Sequence, residues 1–556
     1  MKEKIAKIIS EKTKLKKEMI EGLIEIPPSA EMGDFAFPCF VLAKEMKKAP
    51  QQIALELARE IKIKGLEKIE AKGPYLNFFV DRKNFALELV EKIVKEKEKF
   101  GKGNEKGKIM IEFSQANTHK AFHVGHIRGT SLGESLSRIR EFSGNNVTRA
   151  NYQGDTGMHV AKWLWNYTKN HNKEKIKVDE SWIAGIYVDA VKRLADNEKL
   201  QEEVDIINKK LEEKSDKNLN ELWKKTRKIC LDALEVIYRQ LNTHFDKYYF
   251  ESEVEIKGKE IAQELVKKKI AVVSDGATIM NLEDYGLSVW VLLRKDGTVL
   301  YSSKDLALIE KKFKENKMDK CIYVVADEQN LHFQQLFKTL DLMNFKDNDK
   351  CRHVNYGMVR LPTGKMSSRT GDNILYSDFM KELREYSEDQ IKKRYSNLKE
   401  KEIEKRALAI SLAAIKYSML AHDSNKIIVF SKEDALSFEG NTGPYLLYSY
   451  VRANSILKKI KGKGKIKVGK LEEREIELVK KLGDFPTVVK DAAEKYNPAL
   501  IAHYSYELAQ IFNTFYHECP VLNSENEEFR LALVKAFAIV MKISLNLLGI
   551  ETIDEM

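Results

Sequence analysis

Cysteine is scarce in this 556-residue chain, and the five present, Cys39, Cys230, Cys321, Cys351 and Cys519, lie far apart with no C-x-x-C pair. That excludes a disulfide framework and a zinc knuckle and leaves buried, reduced thiols as the expectation; no metal site is read. Long apolar runs are missing as well. None approaches the roughly 18 residues that a membrane span needs, so no membrane partner is expected. Repeats and low-complexity tracts are absent beyond Lys/Glu-biased surface helices. The opening Met1-Lys2-Glu3-Lys4-Ile5-Ala6-Lys7 lacks the apolar core of a signal peptide and the acid-poor bias of a transit segment, so a cytoplasmic location is expected.

What is present is length and charge. The chain exceeds the roughly 250 to 300 residues at which single cores stop growing, so two to four domains are expected. A net charge of +11, from 95 Lys and Arg against 84 Asp and Glu, favours a polyanionic partner. Acids and bases are interspersed, however, and a solvated surface explains the balance equally well.

Helical spacing from Lys4 to Ile24, a break at Pro27-Pro28, helical spacing again from Ile53 to Ile61 and a strand Tyr75–Val80 after the turn Lys72-Gly73-Pro74 predict a small N-terminal α/β module. The charged, Gly-containing stretch Lys102–Lys108 closes it, giving a first domain of residues 1–104. A catalytic domain over residues 105–402 opens with a strand Ile109–Phe113 and a helix from about Val124 to Phe142, its inner face formed by Ile127, Leu132, Leu136 and Ile139. Strand, loop, helix is the start of a nucleotide-binding, Rossmann-like α/β unit. Strands are predicted at Ser288–Leu293 and Cys321–Val325, with Asp296-Gly297-Thr298 turning a hairpin into Val299-Leu300-Tyr301. Residues about 160–245 are Lys/Glu-rich and helical, an insertion. Residues 403–556 follow helix period almost throughout, with helices at Leu408–Leu420, Tyr445–Lys459, Leu500–Tyr516 and Phe529–Leu548, an all-helical C-terminal domain.

Two motifs carry chemistry. His123-Val124-Gly125-His126 stands where the first loop becomes a helix, so imidazoles and free helix N–H groups converge on one point suited to a triphosphate, with Gly125 admitting ribose or adenine against backbone. Alone, H-x-x-H reads more readily as ordinary helix-start histidines. Leu361-Pro362-Thr363-Gly364-Lys365-Met366-Ser367-Ser368-Arg369-Thr370-Gly371-Asp372 reads as a mobile basic loop hinged at its glycines, or equally as a plain surface loop.

Together, in this order around an α/β region, H-V-G-H and K-M-S-S resemble the paired signatures of class I aminoacyl-tRNA synthetases. Longer stretches are similar to the arginyl family: Ile111–His123, Phe245–Ser252, Asp296–Tyr301 with Asp305-Leu306-Ala307, Phe438–Tyr445, and at the two ends Gly33-Asp34-Phe35, Gly73-Pro74-Tyr75 and Ala509–Tyr516. The resemblance implies activation of L-arginine by attack on the ATP α-phosphorus, release of pyrophosphate, and transfer to the terminal ribose of tRNA(Arg). ATP with Mg2+ and a monomer are the companion expectations. A class I synthetase for another amino acid, or a catalytically silent tRNA-binding paralogue, stays open.

By the same resemblance Asn117, Glu251, Tyr301, Asp305 and Gln329 fall on arginine-binding positions. Carboxylates with an amide and a phenol suit a guanidinium, which is planar and carries five donors in a fork. The plainer alternatives are a first-turn acid for Asp305, a surface acid for Glu251 and a packed strand aromatic for Tyr301. Asp155, in Gly154-Asp155-Thr156-Gly157, is a candidate for the substrate amine, although Thr156 stands where the family often has Trp. ATP falls to His123, Gly125, His126, Lys365, Met366, Ser367, Ser368 and His332, the last with a helix-start alternative. Ser368 replaces the usual second lysine of K-M-S-K and the next residues, Arg369-Thr370, also vary; arginyl enzymes that lack that lysine commonly carry a basic residue just ahead of the histidine motif, and the resemblance thus makes Lys120, three residues before His123, the candidate for α-phosphate charge stabilisation. For tRNA the candidates are Tyr75 and Asn77 at the N-terminal strand and Tyr504, Phe512 and Tyr516 among a helical aromatic series that also reads as core.

Overall fold

The computed structural model describes the chain except for residues 361, 363–374, 396 and 460–465. It divides into two compact units, one of Met1–Lys97, Ile456–Gly483 and Ile511–Ile539, the other of Glu98–Ser455, Asp484–Gln510 and Val540–Met556.

In the first unit, β1 (Phe35–Pro38), β2 (Leu66–Lys72) and β3 (Tyr75–Val80) form an antiparallel sheet in the order β1-β3-β2. Helices Lys2–Lys12 and Pro50–Glu60 cover it with Ile5, Ile9, Ile53 and Leu57, which pack on Phe37, Leu76 and Phe78. The predicted strand and the helix over Ile53–Ile61 are present, while the stretch Lys4–Ile24 is broken at Thr13–Lys16 into the helices Lys2–Lys12 and Lys17–Leu23. Asp34 anchors this unit: its carboxylate accepts the Val80 N–H at 3.0 Å and pairs with Lys480 at 2.9 Å. Burial alone would raise its pKa, but the Lys480 and Val80 bonds win and hold it below the usual carboxylate range.

The second unit is built on a parallel sheet. Its strands are β4 (Lys108–Glu112), β5 (Asn146–Gln153) and β6 (Lys247–Phe250); after β7 (Val272–Ser274), β8 (Ala277–Met280) and β9 (Trp290–Leu293) come β10 (Lys320–Ala326) and β11 (Cys351–Tyr356). The parallel order is β11-β10-β4-β5-β6, so the chain runs outward from β4 to one side and later returns to the other. Ligands bind such sheets at the carboxyl ends beside that reversal. The helix Val124–Phe142 follows β4 as expected, with Ile127, Leu136 and Ile139 wholly buried. Lys312, beside Tyr249 and Tyr323, is fully buried and ion-paired with Glu112 of β4.

Four helices, Met158–Asn170, Glu180–Asp196, Gln201–Glu212 and Lys217–Gln240, make the insertion and share a small core around Trp163, Leu164 and Ile186. β7, β8 and β9 form a separate antiparallel sheet. The expected hairpin stops short: Thr298 does turn onto Asp296, but only Val299 bridges back to Leu293. The hydroxyls of Ser302 and Ser303 then donate to the carbonyls of Val291 and Leu292 at 2.5 and 2.8 Å, and the chain continues as a helix, Tyr301–Glu315. Tyr301 is thus a helix-start residue, not a strand aromatic.

Past residue 400 the helices are Glu400–Leu420, Lys432–Ala435, Gly443–Lys458, Glu473–Lys495, Ala499–Glu518 and Glu527–Leu547. The all-helical expectation misses one short strand, β13 (Ile428–Val429), which pairs in parallel with β12 (Val359–Arg360). Among the described residues no helix is long and apolar enough to cross a membrane.

Candidate active site

The two motif histidines cap their own helix. Nδ1 of His123 accepts the Gly125 N–H at 3.2 Å, and Nδ1 of His126 accepts the His123 N–H at 3.2 Å, a capping box made from two imidazoles. An Nδ1 that accepts cannot carry the proton, so each ring is the neutral Nε2–H tautomer and keeps a donor for a ligand. Burial, with the charge of Lys120 added, pushes His123 down to about 4; burial, then His123 and Lys120, put His126 well below its ordinary value. A Cβ on Gly125 would come within 3.0 Å of the His123 ring, so that residue protects the cap geometry as well as the approach of a ligand.

The loop from β4 to this helix is strained. Ser114, Gln115 and His119 all have left-handed φ, of +79°, +48° and +59°. Buried bonds hold it: Thr118 N–H donates to Gly154 O at 3.0 Å, and His119 lies between the hydroxyls of Thr118 and Thr226 at 3.0 and 2.9 Å. His119, pushed down to about 3 by burial, is a third histidine of the motif region with a structural role.

Asn117 and Glu251 converge at Gly154. Oδ1 of Asn117 accepts the Gly154 N–H at 3.2 Å, and a Cβ there would lie 2.4 Å from that oxygen and 3.2 Å from Oε1 of Glu251. Only glycine permits this approach. Glu251 follows β6, and its Oε2 takes an ion pair from Lys304 at 2.8 Å; Lys304 reaches Glu255 at 2.8 Å too. Burial raises the Glu251 carboxyl, with Lys304 opposing. Burial likewise works against the Lys304 ammonium, but Glu251 and Glu255 win and raise it.

Asp305, one turn after Tyr301, bonds His332 Nε2 at 2.6 Å, and the Tyr301 ring stands edge-on to His332 at 4.9 Å. His332, a candidate ATP contact, is thus bonded to the candidate arginine residue Asp305, and its Nδ1 is buried without a partner among the described residues. Tyr152, on β5, has a buried hydroxyl without a partner among the described residues; burial, then the charges of Asp305 and Glu251, raise its pKa. Gln329 is exposed at the end of the turn Asp327–Gln329 after β10.

Asp155 differs from expectation. It is fully buried, accepting from Ser252 N–H at 2.9 Å, Ser252 Oγ at 2.7 Å and Arg227 at 2.7 Å. Its carboxylate fixes the residue after Glu251 and is not offered to a substrate amine. Lys120 is half-buried, its ammonium 5.6 Å from the Tyr187 ring, and burial followed by Lys162 lowers its pKa. Lys365, Met366, Ser367 and Ser368 lie outside the described residues. The chain returns from that stretch directly onto the histidine motif: Leu375 bridges His123, and Tyr376 N–H donates to Phe122 O at 2.9 Å.

The aromatic candidates divide. Tyr504 is buried against Phe485 at 5.6 Å, and Phe512 stacks flat on Phe537 at 3.7 Å, so both are core and neither is open to a base. Asn77 is likewise buried in the central strand of its sheet. Tyr75 is half-buried beside Phe40, and Tyr516 is exposed.

Residues 89–431 match the family model for tRNA synthetases class I (R), catalytic domain; residues 446–556 match the DALR anticodon binding domain and residues 1–80 the arginyl tRNA synthetase N terminal domain. This chain belongs to the arginyl-tRNA synthetases. It is 38% identical to the arginine–tRNA ligase of Clostridium botulinum (strain Loch Maree / Type A3) over 99% of both chains, and 38% identical to that of Clostridium acetobutylicum over the full length of both. The solved arginyl-tRNA synthetase of Thermus thermophilus superposes with a TM-score of 0.79 at 27% identity, covering 96% of each chain. The chain is accordingly an aminoacyl-tRNA ligase of the arginyl family, and the reading as a synthetase for another amino acid is set aside. Lys304 and Tyr152, which the sequence pattern does not single out, join its candidate pocket. Lys304 does carry a signal, since it stands between Tyr301 and Asp305.

Proposed function

We propose that this arginine–tRNA ligase holds L-arginine between Glu251 and Asp305 and ATP beside His123, His126 and Lys120. The observation that carries this is a cluster of acid: Glu251 and Glu255 share the ammonium of Lys304, and Asp305, whose charge acts on Glu251, adds a third carboxylate, the complement of a cationic substrate. Tyr301, Asn117 and Gln329 complete the arginine set. The substrate carboxylate attacks the α-phosphorus of ATP, a new C–O–P link forms, and the α–β bridging oxygen leaves with pyrophosphate. The Nε2–H donors of His123 and His126 and the ammonium of Lys120 meet the negative charge that builds on phosphate, with Lys365, Met366, Ser367 and Ser368 assigned to the same phosphates from sequence alone. Magnesium accompanies ATP as a phosphate counter-ion. A hydroxyl of the terminal ribose of tRNA(Arg) then attacks the arginyl carbonyl carbon, the carbonyl carbon–oxygen bond to phosphate breaks, and AMP leaves while the hydroxyl proton is lost to solvent.

We infer a working division into residues 1–104 for tRNA, 105–402 for catalysis and 403–556 for the anticodon, with Tyr75 and Tyr516 as the accessible aromatic contacts. We infer a cytoplasmic monomer, the location being the one that its arginine–tRNA ligase relatives suggest. His126→Ala tests the catalytic assignment. Loss of one preorganised donor lowers a rate by about 100- to 1,000-fold, so aminoacylation should fall on that scale, whereas unchanged aminoacylation would overturn the assignment.

A further inference from the structure

The helix Tyr376–Arg394 begins without a cap of its own. Its N-cap residue is Leu375, whose side chain accepts nothing, although the first turn of any helix leaves backbone donors to satisfy. A carboxylate from elsewhere stands at this end. Glu180, in the first turn of the insertion helix Glu180–Asp196, accepts from Ser377 Oγ at 2.9 Å through Oε2. Through Oε1 the same carboxylate accepts the Phe122 N–H at 3.2 Å.

Phe122 is the residue immediately before His123. It is fully buried, its ring stacks on His126 at 5.1 Å and meets Tyr376 edge-on at 5.8 Å. Its carbonyl accepts from Tyr376 N–H, and His123 bridges Leu375. One side chain of the insertion thus ties together the backbone leading into the histidine motif and the helix that follows the K-M-S-S stretch. The helix Glu180–Asp196 has a cap of its own in Asp179, which accepts from Trp182 N–H at 2.7 Å, so the Glu180 carboxylate is not needed there.

We propose that Glu180 is a positioning residue for arginine activation, holding Phe122, and through it the His123 and His126 rings, in register with the helix at Tyr376. The inference rests on the reading of His123 and His126 as ATP donors. Misplacing donors by a fraction of an ångström is what such a brace prevents, and its effect belongs in the chemical step and not in arginine binding, because Glu251 and Asp305 share no bond with it.

The test uses the full-length enzyme in pyrophosphate exchange with tRNA(Arg) present, with active sites counted by burst titration. Glu180→Ala should lower kcat by about tenfold or more while KM for arginine stays within about twofold. Glu180→Gln, which keeps an acceptor, should recover part of the loss. Ser377→Ala alone should lower kcat modestly and should add little in the Glu180→Ala background, the coupling expected of residues that share one bond. The inference is overturned if kcat per active site is unchanged in Glu180→Ala, if KM for arginine rises as kcat falls, if the two substitutions multiply independently, or if Glu180→Gln is no better than Glu180→Ala. Absence of exchange in the wild type would instead defeat the underlying reading.

Discussion

Asp305→Asn removes one negative charge from the pocket while keeping the shape of the side chain. The remaining Oδ1 can still accept from His332 Nε2, the partner that Asp305 holds at 2.6 Å, so the local packing should survive. On the proposed arginine site, what is lost is a charge-assisted bond to the substrate guanidinium, worth about 1.5 to 3 kcal/mol. At 1.4 kcal/mol per factor of ten, KM for arginine should rise by about 10- to 150-fold. KM for ATP should change by less than about twofold, since His123 and His126, the proposed ATP donors, share no bond with Asp305. The assay is pyrophosphate exchange with tRNA present, varying arginine at saturating ATP and then the reverse. Equal rises for both substrates would mean that the substitution damaged the fold, and an unchanged KM for arginine would remove Asp305 from the pocket.

Two stability predictions follow from buried lysines. Lys312→Met leaves Glu112 buried without its partner, at a cost of about 3 to 5 kcal/mol in urea unfolding; Lys312→Met with Glu112→Leu should recover most of it, and equal losses in the single and double variants would contradict the pairing. Lys416 is buried with its ammonium against the carbonyls of Leu241 and Gly549 at 2.5 and 2.6 Å, and burial pulls its pKa from 10.5 down to about 7. Between those values the unfolded chain holds a proton that the folded chain has released, so stability should rise with pH by about 1.4 kcal/mol per unit relative to Lys416→Met. A difference that stays flat from pH 7.5 to 9.5 would show that Lys416 remains charged in the fold.

Periodicity makes much of the fold legible in the sequence. The strand Tyr75–Val80 and the helix Val124–Phe142 agree with expectation because their signals are local: an aromatic-rich apolar run after a glycine turn in one, a helical apolar face in the other. The helix Glu473–Lys495 is harder to read, because it carries Pro486 in its interior. Tyr301 misleads because the turn at Gly297 is real, while the serine bonds that divert the chain into a helix reach back eleven residues. At the site, residue types point to Glu251 and Asp305, but their neighbours do not show in a linear pattern. Asp155 is committed to Arg227 and Ser252, distant in sequence, and Tyr152 sits between acids contributed by two other elements. Helical spacing also groups Tyr504, Phe512 and Tyr516 without telling which of them pack inward.

The most direct test of the central claim is pyrophosphate exchange with each of the common amino acids in turn, with and without tRNA(Arg). The account predicts exchange with arginine and with no other amino acid. Exchange driven by any other amino acid, or none with arginine and tRNA together, would contradict it.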